Sequence, residues 1–131
     1  MKWIFCFRES PNRGLWKLFT LFRPNFGHVY CIRFVPEEGF WLYMECASQR
    51  MIVEALRDNE ADEVVYDMIN NCTCVEIEQL KETIQIPRWL YCVSFATHVA
   101  GIRGTFIYTP YQLYCELLKK GGSIIFQKEG D

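Results

Sequence analysis

Cys92 lies in an apolar run, Leu90-Tyr91-Cys92-Val93-Ser94-Phe95-Ala96, and His28 stands far upstream in Gly27-His28-Val29-Tyr30-Cys31. A thiol and an imidazole are the two groups that attack on a carbonyl carbon requires near neutral pH: the imidazole takes the proton and the thiolate is the nucleophile. A place in the first turn of a helix strengthens the pair, because the partial positive charge of a helix N-terminus favours the thiolate. The residues after Cys92 suit such a helix. Cys92, Phe95, Ala96 and Val99 recur at three and four residues, Pro87 ends the preceding segment, and Gly101 offers a stop.

Glu45 is the third candidate, and strand register brings it in. His28 to Val35 and Phe40 to Cys46 are β-prone runs separated by the turn-rich loop Pro36-Glu37-Glu38-Gly39, which predicts a hairpin. If Val35 faces Phe40, then Tyr30 faces Glu45, and His28 and Glu45 share one face as diagonal neighbours. A carboxylate there would orient the imidazole and favour its protonated form. Tyr30 shares the face of His28, and Trp89 and Tyr91 flank Cys92, so these three are candidate walls of an apolar substrate groove. His98, six positions after Cys92, lies about 240° around a helix from it and points away from the thiol.

Each of these residues also has a plainer role open to it. A buried cysteine is commonly a small core hydrophobe, a strand histidine can simply donate to a carbonyl, a strand-end carboxylate can be solvated, and aromatic residues are ordinary core material. Cys72-Thr73-Cys74 lacks a second pair at zinc-finger spacing, and its alternation with Val75 and Ile77 reads as strand, so no metal is expected. The thiol chemistry itself calls for no cofactor.

The elements that must position these groups can be read along the chain. Met1 to Phe7 is strand-like, and Leu15 to Phe22 suits a short buried helix ended before Pro24. After the hairpin, Met51-Ile52-Val53 reads as a strand, Ala61 to Ile69 as a helix burying Val64, Val65, Met68 and Ile69, and Cys72 to Glu78 as a strand. The last helix is the most explicit: Thr109 can cap it, Pro110 suits its first position, Gln112 completes a capping box, and Lys119-Lys120-Gly121 closes it. Ser123 to Gln127 reads as a final strand.

Composition bounds the class. With 131 residues, 50% of them hydrophobic, the chain is large enough for one packed core, and residues 1–131 read as a single α+β domain with a largely antiparallel sheet. A net charge of −2 gives no basic footprint for nucleic acid. The apolar run Trp3 to Phe7 is closed by Arg8 and Glu9, too short for a signal peptide core, and no stretch reaches membrane-spanning length. A cytoplasmic protein is expected, its seven cysteines kept reduced, since an odd count without paired spacings does not suit a disulfide framework.

The order of these parts resembles the circularly permuted branch of the papain-like NlpC/P60 superfamily, which includes YiiX/YebB-like proteins and lecithin retinol acyltransferase. Gly27-His28-Val29, Met44-Glu45-Cys46-Ala47 and Cys92-Val93-Ser94-Phe95 occupy the places of the family's histidine strand, the polar residue of the next strand, and the helix of the form Cys-x-x-Phe. The segment Thr109-Pro110-Tyr111-Gln112-Leu113-Tyr114 is similar to the tail of several members, small bacteriophage-encoded proteins among them. Two departures are visible: no Gly-Asp-rich strand precedes His28, and Cys46 follows Glu45 where Ala is commoner. The resemblance implies a permuted papain-like fold and a cysteine peptidase, amidase or thiol acyltransferase, with Cys92 as nucleophile, His28 as base and Glu45 as orienting residue, acting on a peptide, amide or acyl substrate. Two rival readings are an inactive binding module on the same fold that grips a host factor, and a virion component whose cysteines are all structural.

Overall fold

The computed structural model describes residues 1–10, 23–47, 50–80, 90–102 and 106–129. Among them, strands β1 (Lys2–Arg8), β2 (His28–Val35), β3 (Phe40–Ala47), β4 (Arg50–Leu56), β5 (Thr73–Glu78) and β6 (Ser123–Phe126) form one sheet in the order β4-β3-β2-β1-β5-β6. Every neighbouring pair is antiparallel. Helices α1 (Asp58–Asn71), α2 (Cys92–Ala100) and α3 (Pro110–Lys119) complete the α+β architecture. None of them is long and apolar enough to cross a membrane.

The near-continuous apolar run of β1 has a simple cause. It lies between β2 and β5 with helices on both faces of the sheet, so both of its faces are covered. Trp3, Phe5 and Phe7 project into one core with Val93, Phe95, Ala96 and Val99 of α2 and Leu113 and Leu117 of α3. Ile4 and Cys6, with the opposite parity, enter a second core with Tyr30, Ile32 and Met68, where α1 packs. The edge strands β4 and β6 are mostly exposed.

The hairpin has the expected register, with Val35 opposite Phe40 and Cys31 opposite Met44. The capping box of α3 is also present: Gln112 N–H donates to Thr109 Oγ1 at 3.2 Å, and Thr109 N–H donates to Gln112 Oε1 at 3.1 Å. Helix α2 ends at Gly101, whose φ of 74° lies in the left-handed region.

Other expectations need correction. Helix α1 starts at Asp58, ahead of its apolar pattern, because Asp58 and Glu60 suit a helix N-terminus. Its inward stripe is Ala61, Val64 and Met68; Val64 and Met68 are as expected, whereas Ile69 is 51% exposed because it falls outside that stripe. Cys72 caps α1 and the strand begins after it. A short 3-10 turn at Pro24–Phe26, unforeseen in the sequence, leads into β2. The helix expected at 15–22 lies outside the described residues.

Leu113, fully buried in the α3 core, is expected to cost ~2–5 kcal/mol as Leu113→Ala, and loss of the cap in Thr109→Ala about 1 kcal/mol. Ile124→Ala on the exposed edge should stay within roughly 0.5 kcal/mol. Urea unfolding of the three variants checks this ranking.

Candidate active site

His28 is the first residue of β2, and a close backbone approach sets its position. Gly27 N–H donates to Arg8 O at 3.0 Å, and a Cβ on Gly27 would lie only 2.5 Å from the backbone nitrogen of Ser10. Only glycine fits there without displacing the chain. Arg8 is then the direct cross-strand neighbour of His28.

The sheet separates the partners of the imidazole. Val29 and Cys31 face the core of α2 and α3, whereas Tyr30 and Ile32 face α1. Continuing the register from Cys31 opposite Met44 sets Glu45 opposite Tyr30, on the α1 side. Cys92 heads α2 on the other side and is 6% exposed. Because no residue of β2 precedes it, the His28 ring can meet partners from both faces around the strand end. His28 Nε2 lies 2.6 Å from Glu45 Oε1, and the Cys92 side chain is near enough to the imidazole to raise its pKa.

Burial by itself would lower the pKa of His28, since it disfavours the charged ring. Hydrogen bonding of the ring to Cys92 and Glu45, followed by their charges, reverses this and raises the imidazole to about 9. Glu45 is held below the usual carboxylate range first by its bond to His28, against the effect of burial, and then by Tyr43. Tyr43 Oη donates to Glu45 Oε2 at 2.8 Å, so both carboxylate oxygens have partners. Arg8 adds a favourable charge. Tyr43 is the residue that the sequence reading missed. Its signal was available, because residue 43 shares a strand face with residue 45.

Around the thiol, Cys31 and Cys46 are buried, and burial together with the charge of Cys92 pushes both thiols up. They are thereby kept neutral near Cys92. At the head of α2, Tyr91 N–H donates to Ser94 Oγ at 3.0 Å and Tyr91 Oη donates to Tyr108 O at 3.0 Å. The second bond ties the segment before α3 to the start of the helix. Leu90, Tyr108 and Phe106 are 56%, 59% and 84% exposed, and Tyr108, which stacks with Phe106, is tied to Tyr91 next to Cys92, so large apolar groups face solvent near the start of α2. The backbone N–H of Cys92, the first residue of α2, has no carbonyl one turn earlier in the helix and suits a developing oxyanion.

Among the proposed groove walls, Tyr91 is at the thiol and Trp89 lies outside the described residues. Tyr30 does not line that side. It is 1% exposed, lies on the α1 face, and its hydroxyl approaches Asp67 Oδ2 at 3.5 Å and Cys72 Sγ at 3.6 Å. The alternation that put Tyr30 on the face of His28 also put the sheet between it and Cys92. His98 is in the last turn of α2, away from Cys92, and burial lowers its pKa. Among the described residues, no three His, Cys, Asp or Glu side chains gather as a metal site. No family model, curated protein or solved structure matches this chain.

An imidazole raised from 6.5 to about 9 contributes stability that is complete below pH 6.5 and is lost as pH rises through about 9. A lowered Glu45 contributes above its usual value of 4.5 and is lost as pH falls through its folded pKa. Stability from this pair should therefore be greatest between pH 4.5 and 6.5. An NMR titration of His28 should give a midpoint near 9 that falls in both Cys92→Ala and Glu45→Gln. A midpoint at or below 6.5 in the native protein would contradict the pairing.

Proposed function

We propose that this chain is a papain-like cysteine hydrolase, with amide or peptide hydrolysis as the leading reaction and acyl transfer as its variant. The observation that carries the reading is the set Cys92, His28 and Glu45, in which the imidazole lies 2.6 Å from the carboxylate and has its pKa raised by the nearby thiol. The permuted NlpC/P60 resemblance accords with this set, and substrate selection depends on the surface beside Cys92 rather than on the fold.

In the reaction, Cys92 gives its proton to His28 and its sulfur forms a bond to the carbonyl carbon, while the carbonyl electron pair moves onto oxygen. The backbone N–H of Cys92 stabilises that oxyanion. The oxyanion collapses, the carbon–nitrogen bond breaks, and the imidazolium donates its proton to the departing amine. Water then attacks the thioester with His28 as base, releasing the acid and the thiol. If an alcohol or amine replaces water, the same step is acyl transfer. Glu45 acts through His28 by holding the ring and its positive charge, and Tyr43 holds Glu45.

Alkylation of the folded protein, followed residue by residue by mass spectrometry between about pH 5 and 9, should single out Cys92 at a rate that depends on His28. Cys92→Ser should reduce turnover of a peptide or ester substrate by on the order of a thousandfold or more with the fold intact. A Cys92 no more reactive than Cys115, or indifferent to His28→Ala, would falsify the proposal.

A further inference from the structure

On the α1 side of the sheet, next to Glu45, lies a cavity of about 320 Å³. That is the lower end of the range for small-ligand sites. Its walls have two sources. Strands β3 and β4 present Glu45 and Glu54, and α1 presents Glu63 and Asp67. Arg8 is the one cation among the lining residues, and it is already engaged, with Nη1 at 3.3 Å from Asp67 Oδ2. Neither Glu54 nor Glu63 has an ionic partner among the described residues. The cavity therefore faces a surplus of negative charge from two opposed walls.

The remaining lining specifies more than charge. Tyr30 and Tyr43 stand side by side with ring centroids 5.1 Å apart, and Ile52, Leu56 and Val64 supply aliphatic surface. The chain's own guanidinium demonstrates how these walls hold a cation: Arg8 sits 5.9 Å from the Tyr30 ring centroid while paired with Asp67. A ligand that repeats this arrangement carries a cationic group at each end, to meet a carboxylate on the sheet and one on the helix, and an aliphatic stem between them.

We infer that this cavity binds a small aliphatic diamine or polyamine between β3–β4 and α1, and that its occupant competes with His28 for the Glu45 carboxylate. The geometry supports the competition because Glu45 belongs to both places: Oε1 faces His28, and the residue forms part of the cavity wall. A cation at that wall weakens the hold of Glu45 on the imidazole and slows any reaction that uses Cys92. Only this last consequence rests on the hydrolase reading. Binding does not.

The probe is 1,4-diaminobutane, titrated into the full chain by calorimetry and followed by amide NMR, with butane-1,4-diol as the neutral analogue of the same length. Saturable one-to-one binding of the diamine, with shifts in β3, β4 and α1 and none with the diol, is the expected result. Glu54→Gln/Glu63→Gln, two exposed positions outside the triad, should weaken binding by about tenfold, as removal of two partly solvated ion pairs implies. The His28 titration midpoint should fall when the diamine is present. Absence of saturation at millimolar diamine, equal binding by the double variant, or a His28 midpoint that ignores the ligand would each overturn the inference. Calorimetry needs no turnover, so an inert Cys92 and an empty cavity give different results.

Discussion

The contact between His28 and Glu45 depends on the register of β2 against β3, with Val35 opposite Phe40, which keeps the two on one face of the sheet. A slip of one residue would carry Glu45 to the α2 side, into the core that holds Cys31, Cys46 and Phe95, and would turn the apolar residues of β3 to the wrong face. A bare carboxylate in that core would be costly, and the apolar surface lost would add to the cost. The register is therefore maintained by the two cores rather than by the ion pair itself. The site inherits its geometry from packing that spans the whole sheet.

The sheet also divides the chemistry. Cys92 and Glu45 lie on opposite faces, and the imidazole at the strand end is near both. Such a bridge needs its backbone tightly placed, which explains the glycine before it and the approach of Ser10 to within 2.5 Å of where a side chain would begin. A charged pair this little exposed, 12% for His28 and 15% for Glu45, must recover its lost hydration from neighbours. Tyr43 and Arg8 supply that compensation from the α1 side, and the thiol supplies it from the other.

Seven cysteines in one small chain need not compete for the same chemistry. Cys6, Cys72 and Cys74 cluster on the α1 side, where burial pushes the Cys6 thiol up, and hydrogen bonding to a neighbouring thiol followed by burial pushes up Cys72, beside Cys74, and Cys74, beside Cys6. Cys31 and Cys46 are pushed up on the other side by burial and by Cys92. Of the six buried cysteines, Cys92 is the one that bonds the imidazole at a helix start. The same α1 face that keeps one thiol cluster neutral also carries the acidic cavity, so Glu45 links two environments that the sheet otherwise keeps apart.

Much of this was legible in local pattern. Alternation and a four-residue loop marked the β2–β3 hairpin, and they put His28 and Glu45 on one face provided that Val35 meets Phe40, the register the fold adopts, because side chains on a strand repeat every two residues. The box Thr109, Pro110 and Gln112 announced α3, and the spacing after Cys92 announced α2, because capping and helical periodicity are properties of adjacent residues. Tertiary structure alone decided the rest. The strand face of Tyr30 points by alternation toward the surroundings of His28, but which helix covers that face is set by connections remote in sequence, and the helix is α1. Likewise the cavity, the order β4-β3-β2-β1-β5-β6, and the way His28 joins two faces depend on contacts between segments far apart in the chain, which no local spacing encodes.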